Sequence, residues 1–66
     1  MHWNDVEEIA EALEENYSDE EASELKLSEI EEMVRSLSEF EDHDVDVTRT
    51  RLKEIQEAWL DLRNGE

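Results

Sequence analysis

The chain has 66 residues, of which 22 are Asp or Glu and 6 are Lys or Arg, for a formal net charge of −16. That length allows one domain at most, and the charge repels phosphate backbones and anionic lipid, which argues against nucleic acid and membrane surfaces as partners and for basic protein surfaces or cations. With no cysteine, neither a disulfide nor a thiolate-held zinc or iron–sulphur cluster can staple the fold, so any metal would meet carboxylate oxygen and imidazole.

Such composition on its own resembles that of disordered chains, but the apolar residues are periodic. In NDVEEIAEALEENY, Val6, Ile9, Ala10, Leu13 and Tyr17 fall at helical spacing, with Glu7, Glu8, Glu11, Glu14 and Glu15 between them. Asp5 with Glu8 three residues on predicts an N-cap and a capping box, and Trp3, just outside, is expected to fold back on the helix. SDEEASELKL has no sustained period: a helical turn is expected near Asp19 to Ala22, and Leu25 and Leu27 around Lys26 suit a very short strand or an extended connector. Ser28 with Glu31 predicts a second capping box, opening a helix whose stripe is Ile30, Met33, Val34 and Leu37. After Phe40 comes an acidic loop. Thr48 or Asp46 then caps a third helix with Leu52, Ile55, Ala58, Trp59 and Leu62 on its inner face, and RNGE frays at the end. The expected fold is all-α: one acidic helical domain over residues 1–66, with three main helices and at most very short strands. It would be either a plain bundle or a small winged-helix-like, helix-turn-helix-like body.

No run approaches the ~20 apolar residues of a membrane span, and MHWNDVEEIA lacks the basic start and apolar stretch of a secretion signal, so the cytoplasm is the expected compartment.

The loop FEDHDVDV gathers Glu41, Asp42, His43, Asp44 and Asp46. Asp42, Asp44 and Asp46 reproduce the D-x-D-x-D opening of an EF-hand, yet the sixth position is Val47 where Gly is needed and the twelfth is Lys53 where a bidentate Glu is needed. A preformed high-affinity calcium cage is thus not expected. What remains is a weak site for a hard divalent or ferric ion on Asp42, His43, Asp44 and Asp46, or a solvated acidic loop with Arg49 and Arg51 placed to pair with it. Glu7, Glu8, Glu11, Glu14 and Glu15 have no lysine four residues on. They form either an ordinary polar face or a field that steers a basic partner. Tyr17 and Phe40 read as core, whereas Trp59, beside Asp61, is expected to be partly exposed as an interface anchor. With no Ser/His/Asp spacing of note, no Gly-rich phosphate loop and no volume for a closed pocket, the chain reads as a non-enzyme.

Three blocks carry a resemblance: W-x-D-x-x-x-I-A-x-A-L from Trp3 to Leu13 with Tyr17 and Asp19 following, L-x-x-F-x-D from Leu37 to Asp42, and A-W-L-D from Ala58 to Asp61. Together, in register from Trp3 to Asp61, the pattern resembles the IscX (YfhJ-like) family of small acidic proteins encoded with the bacterial iron–sulphur cluster assembly machinery. The resemblance implies a small helical, winged-helix-like fold. It also implies an accessory that binds cysteine desulfurase through an acidic surface, binds iron weakly and is not itself an enzyme. By position, the family's acidic run corresponds to Glu41, Asp42, His43 and Asp44, and its C-terminal Trp and Asp to Trp59 and Asp61. The chain departs from the family at His43 and Val45, which interrupt the acidic run, at Arg49, where Glu is favoured, at Ser18 in place of Pro and at Met33 in place of Trp.

Three functions follow as expectations. The first is a monomeric adaptor that docks Glu7, Glu8, Glu11, Glu41, Asp42, Asp44, Trp59 and Asp61 on a basic patch of cysteine desulfurase. The second is an anionic mimic of nucleic-acid phosphates. The third is an iron carrier using the Asp42 to Asp46 loop.

Overall fold

The structure, a computed structural model, describes residues 1–42 and 44–65. The fold is all-α: α1 spans Val6–Asn16, a single 3-10 turn spans Ala22–Glu24, α2 spans Leu27–Arg35 and α3 spans Arg49–Asn64. Each helix buries the centre of the stripe its spacing predicts. Ile9, Ala10 and Leu13 come from α1, Ile30 and Val34 from α2, and Leu52, Ile55 and Trp59 from α3. Trp3, Ala22, Leu37 and Phe40 complete one hydrophobic cluster. The longest helix, α3, packs against α1, α2 and the 3-10 turn, so the core is organised around it. The body measures 32 × 21 × 17 Å.

Helix starts depend on where each orphan amide finds an acceptor. At α3 the Thr48 hydroxyl oxygen accepts from the Arg51 N–H at 3.1 Å, the cap expected of that residue. At α1, Asp5 holds the N-cap position but makes no side-chain cap bond; its carboxylate accepts instead from the His2 N–H at 3.0 Å, because the N-terminal segment turns back over the helix start. The box expected at Ser28 does not form; only its return bond is present, two residues earlier, since the Lys26 side chain makes no cap bond. Lys26 precedes α2, and its N–H donates to Glu29 Oε1 at 2.9 Å, while Glu31 turns to Arg35 at 3.0 Å.

Leu25 and Lys26 are extended, with ψ 142° and 154°, but no strand forms among the described residues; the segment is a connector. The Lys26 carbonyl accepts from the Ile30 N–H of α2 at 3.0 Å, and the Leu25 carbonyl is met by α3. The Gln56 amide donates to Ala22 O at 2.7 Å and Leu25 O at 3.2 Å, which ties the 3-10 turn down. That turn lies at Ala22–Glu24, later than the sequence suggests. Tyr17 and Met33 are half-buried at the edge of the core, and Leu62, expected on the inner face, is 44% exposed. Among the described residues no helix is long and apolar enough to cross a membrane.

Candidate functional site

Trp3 closes the core at one end and organises the acidic loop. It is buried, meets Phe40 edge-on at a centroid distance of 4.6 Å, and donates its indole N–H to Val45 O at 3.1 Å. The residues before it clasp the loop. The Met1 ammonium donates to Glu39 O at 2.8 Å and pairs with Glu41 Oε2 at 3.1 Å, and the Glu41 N–H donates to Met1 O at 2.8 Å. His2 Nδ1 lies 2.8 Å from Asp42 Oδ1, while the Trp3 N–H donates to Asp42 Oδ2 at 3.2 Å. The hydrogen bond to Asp42 raises the His2 pKa above its ordinary value, and the same bond lowers that of Asp42.

The loop cation is Arg35 of α2, which donates to Val45 O at 3.1 Å and stacks its guanidinium 5.4 Å from the Trp3 ring centre. The expected pairing of Arg49 and Arg51 with the loop does not form among the described residues; Arg51 pairs with Glu54 at 3.3 Å. Asp44 and Asp46 are exposed. No three His, Asp or Glu side chains converge as metal ligands among the described residues. His43, the fourth member of the expected Asp42, His43, Asp44 and Asp46 set, lies outside them.

Trp59 is not an exposed anchor. It is 0% exposed, the largest fully buried side chain in the protein. The reason is helical register: it continues the row of Leu52 and Ile55, while Asp61, two residues on, points elsewhere. The Trp59 indole N–H donates to Glu14 Oε1 at 2.8 Å, and Arg63 binds the same oxygen at 2.9 Å with its guanidinium 5.3 Å from the Trp59 ring centre. That indole hydrogen bond, with Arg63 beside it, lowers the Glu14 pKa. Arg63 also donates to the carbonyls of Ser18 and Glu20 beyond α1. Glu14 therefore leaves the uncompensated acidic face. No sequence signal marks this cluster, since Glu14 and Arg63 are 49 residues apart.

Six further acids gather around two adjoining shallow clefts. One is lined by Glu7, Ala10, Glu11, Ala58, Asp61 and Leu62, the other by Met1, Glu8, Glu11, Ala12, Glu15 and Glu39. Glu11 belongs to both, so Asp61, Glu7, Glu11, Glu8, Glu15 and Glu39 make one field. It continues through the Met1 clasp to Glu41. Among the described residues the six acids from Asp61 to Glu39 carry no ion pair. The apolar side chain beside them is Leu62, which takes the place expected of Trp59 next to Asp61. Chemically such a surface offers acceptors to lysine and arginine around a small apolar contact, at the modest strength of solvent-exposed pairs.

Of the sequence-predicted residues, the structure brings Glu7, Glu8, Glu11 and Asp61 together. It sets Glu41 and Asp42 under the N-terminal clasp, leaves Asp44 and Asp46 on the exposed loop and buries Trp59. No curated protein and no solved structure matched the chain. A family model described as iron–sulphur cluster assembly matches residues 1–64, nearly the whole length, including all three sequence blocks. The chain thus belongs to the iron–sulphur cluster assembly family also known as IscX or YfhJ.

Proposed function

We propose that the protein is a non-catalytic accessory of iron–sulphur cluster assembly that docks its acidic field on a basic surface of cysteine desulfurase and tunes that enzyme. The observation that carries this reading is the contiguity of unpaired carboxylates from Asp61 through Glu11 to Glu39. A charge field of one sign speeds encounter with a basic partner and selects against acidic ones. Leu62 at its edge supplies the apolar contact. Absence of cysteine fits an accessory that neither accepts persulfide sulphur nor holds a cluster on thiolates.

Iron association, on this reading, is weak and spread over the field rather than seated in the loop. Asp42 is committed to His2 and to the Trp3 N–H and Glu41 to the Met1 ammonium, which leaves Asp44 and Asp46 as the loop's exposed carboxylates without an ion pair among the described residues. Paramagnetic broadening on iron titration then falls on residues of α1 and the loop alike; confinement to residues 42–46 would show a discrete site. Docking is tested by calorimetric titration of cysteine desulfurase. A complex forms at low ionic strength and weakens as salt rises, whereas no complex at low salt contradicts the reading.

A further inference from the structure

The six Lys and Arg residues divide into two sets. Arg35, Arg51 and Arg63 pair with Glu31, Glu54 and Glu14. Lys26, Arg49 and Lys53 carry no ion pair among the described residues, although the chain has 22 carboxylates. All three line one groove, of about 600 Å³, between the start of α2 and the first turns of α3. Its apolar wall is Leu25, Leu27 and Leu52, the first two half-buried. The acid on its rim, Glu31, is neutralised by Arg35. Both helices begin at this groove, which adds the positive ends of two helix dipoles to the three side-chain cations.

The groove lies on the side of α3 away from the Asp61 cleft. At about 100° per residue, Arg49, Leu52, Lys53 and Gln56 fall on one face and Ala58, Asp61 and Leu62 on the opposite one. The two surfaces can be occupied together. From these observations we propose that the groove binds an acidic peptide segment of a second protein partner, with carboxylates on Lys26, Arg49 and Lys53 and an apolar side chain against Leu25, Leu27 and Leu52. This assignment is independent of what the acidic field binds. A small anion would leave the leucines unused, a nucleic acid is repelled by the net charge, and a second copy of this chain would bring two bodies of −16 together. A short acidic segment brings far less charge. At ~0.15 M salt the Debye length is ~8 Å, shorter than the smallest dimension of the body, 17 Å, so carboxylates on the far side are screened and the groove cations act locally.

The test uses a fluorescein-labelled peptide of alternating glutamates and leucines, followed by anisotropy at physiological ionic strength, with circular dichroism to confirm each variant is folded. The wild-type protein binds it, and Arg49→Glu and Lys53→Glu each raise Kd by about tenfold or more. Arg51→Glu, the same change in net charge next to the groove but outside it, raises Kd less than about twofold. Replacing the peptide leucines by serine weakens binding, and millimolar inorganic phosphate does not displace the peptide. The proposal is overturned if the wild-type protein fails to bind. It is overturned equally if Arg51→Glu matches Arg49→Glu, if the serine peptide binds as well as the leucine peptide, or if phosphate displaces it, which would mark a simple anion site.

Discussion

Two tryptophans with different surroundings hold the molecule together. Trp59 is fully buried with its N–H on Glu14, and removing a side chain of that size from a core costs about 3–5 kcal/mol. In a domain this small that is a large share of the total stability, so Trp59→Ala is expected to abolish or nearly abolish the cooperative transition in urea. At the other end, His2 and Asp42 give stability a pH dependence. The folded-state pKa of His2 is raised, so its contribution is full below the ordinary histidine value of about 6.5 and is lost as pH rises through the raised value. Asp42 is lowered, so its contribution is present above the ordinary aspartate value and is lost as pH falls through the depressed one. Hence His2→Gln should melt below the wild type at mildly acidic pH, and the two curves should converge in alkaline buffer; a deficit independent of pH would assign His2 a purely steric role. Neither contact is legible in the sequence, because 40 residues separate His2 from Asp42. At Trp59 two sequence signals disagree, and the inner-face one holds. Proximity to Asp61 along the chain suggested exposure, whereas register with Leu52 and Ile55 decides it.

At the level of elements, most of the fold can be read from spacing alone. Three apolar stripes with period near 3.6 give three helices, and the structure buries the centre of each stripe and leaves its edges half-buried or, at Leu62, exposed. Departures concentrate at the ends, where a few hydrogen bonds choose between neighbouring residues. Ser28 followed by Glu31 is the start the sequence offers; the helix begins earlier, with the Lys26 N–H on Glu29 and Glu31 paired with Arg35 four residues on. Thr48 is the side-chain cap that sequence and structure agree on. Thr48→Ala should therefore cost about 1 kcal/mol, measured as a lower urea midpoint at unchanged slope. Asp46→Ala should be close to neutral, and a loss as large as that of Thr48→Ala would mean that Asp46 takes part in the cap.

Across the whole molecule, acids are exposed on every helix, and one group of them is contiguous. Carboxylates that pair do so where a helix or the N-terminal segment must be fastened; of those without an ion pair among the described residues, six adjoin one another beside α1 and Asp61, while Asp19, Glu20, Glu21, Glu24, Glu32 and Glu57 are exposed away from that field. The acidic α1 face was legible from the missing i+4 lysines. Its extension to Glu39 and Asp61 was not, since that needs the packing of α1 on α3 and the return of the chain at Met1. Mutual repulsion should make stability depend on ionic strength. If screening relieves about 1 kcal/mol, the melting temperature rises by ~4–8 °C, and a melting temperature unchanged between low and moderate salt would mean that repulsion is already relieved locally. The docking reading rests on the location of the unpaired acids and not on their number. Its most direct measurement compares two charge-reversed variants of equal net charge for binding to cysteine desulfurase at low ionic strength: Glu7→Lys, Glu11→Lys and Asp61→Lys combined, against Glu20→Lys, Glu21→Lys and Glu24→Lys combined. The first variant is expected to lose at least about tenfold in affinity and the second to stay near the wild type. Equal loss in both would show that bulk charge alone attracts the enzyme, and would contradict a built docking surface.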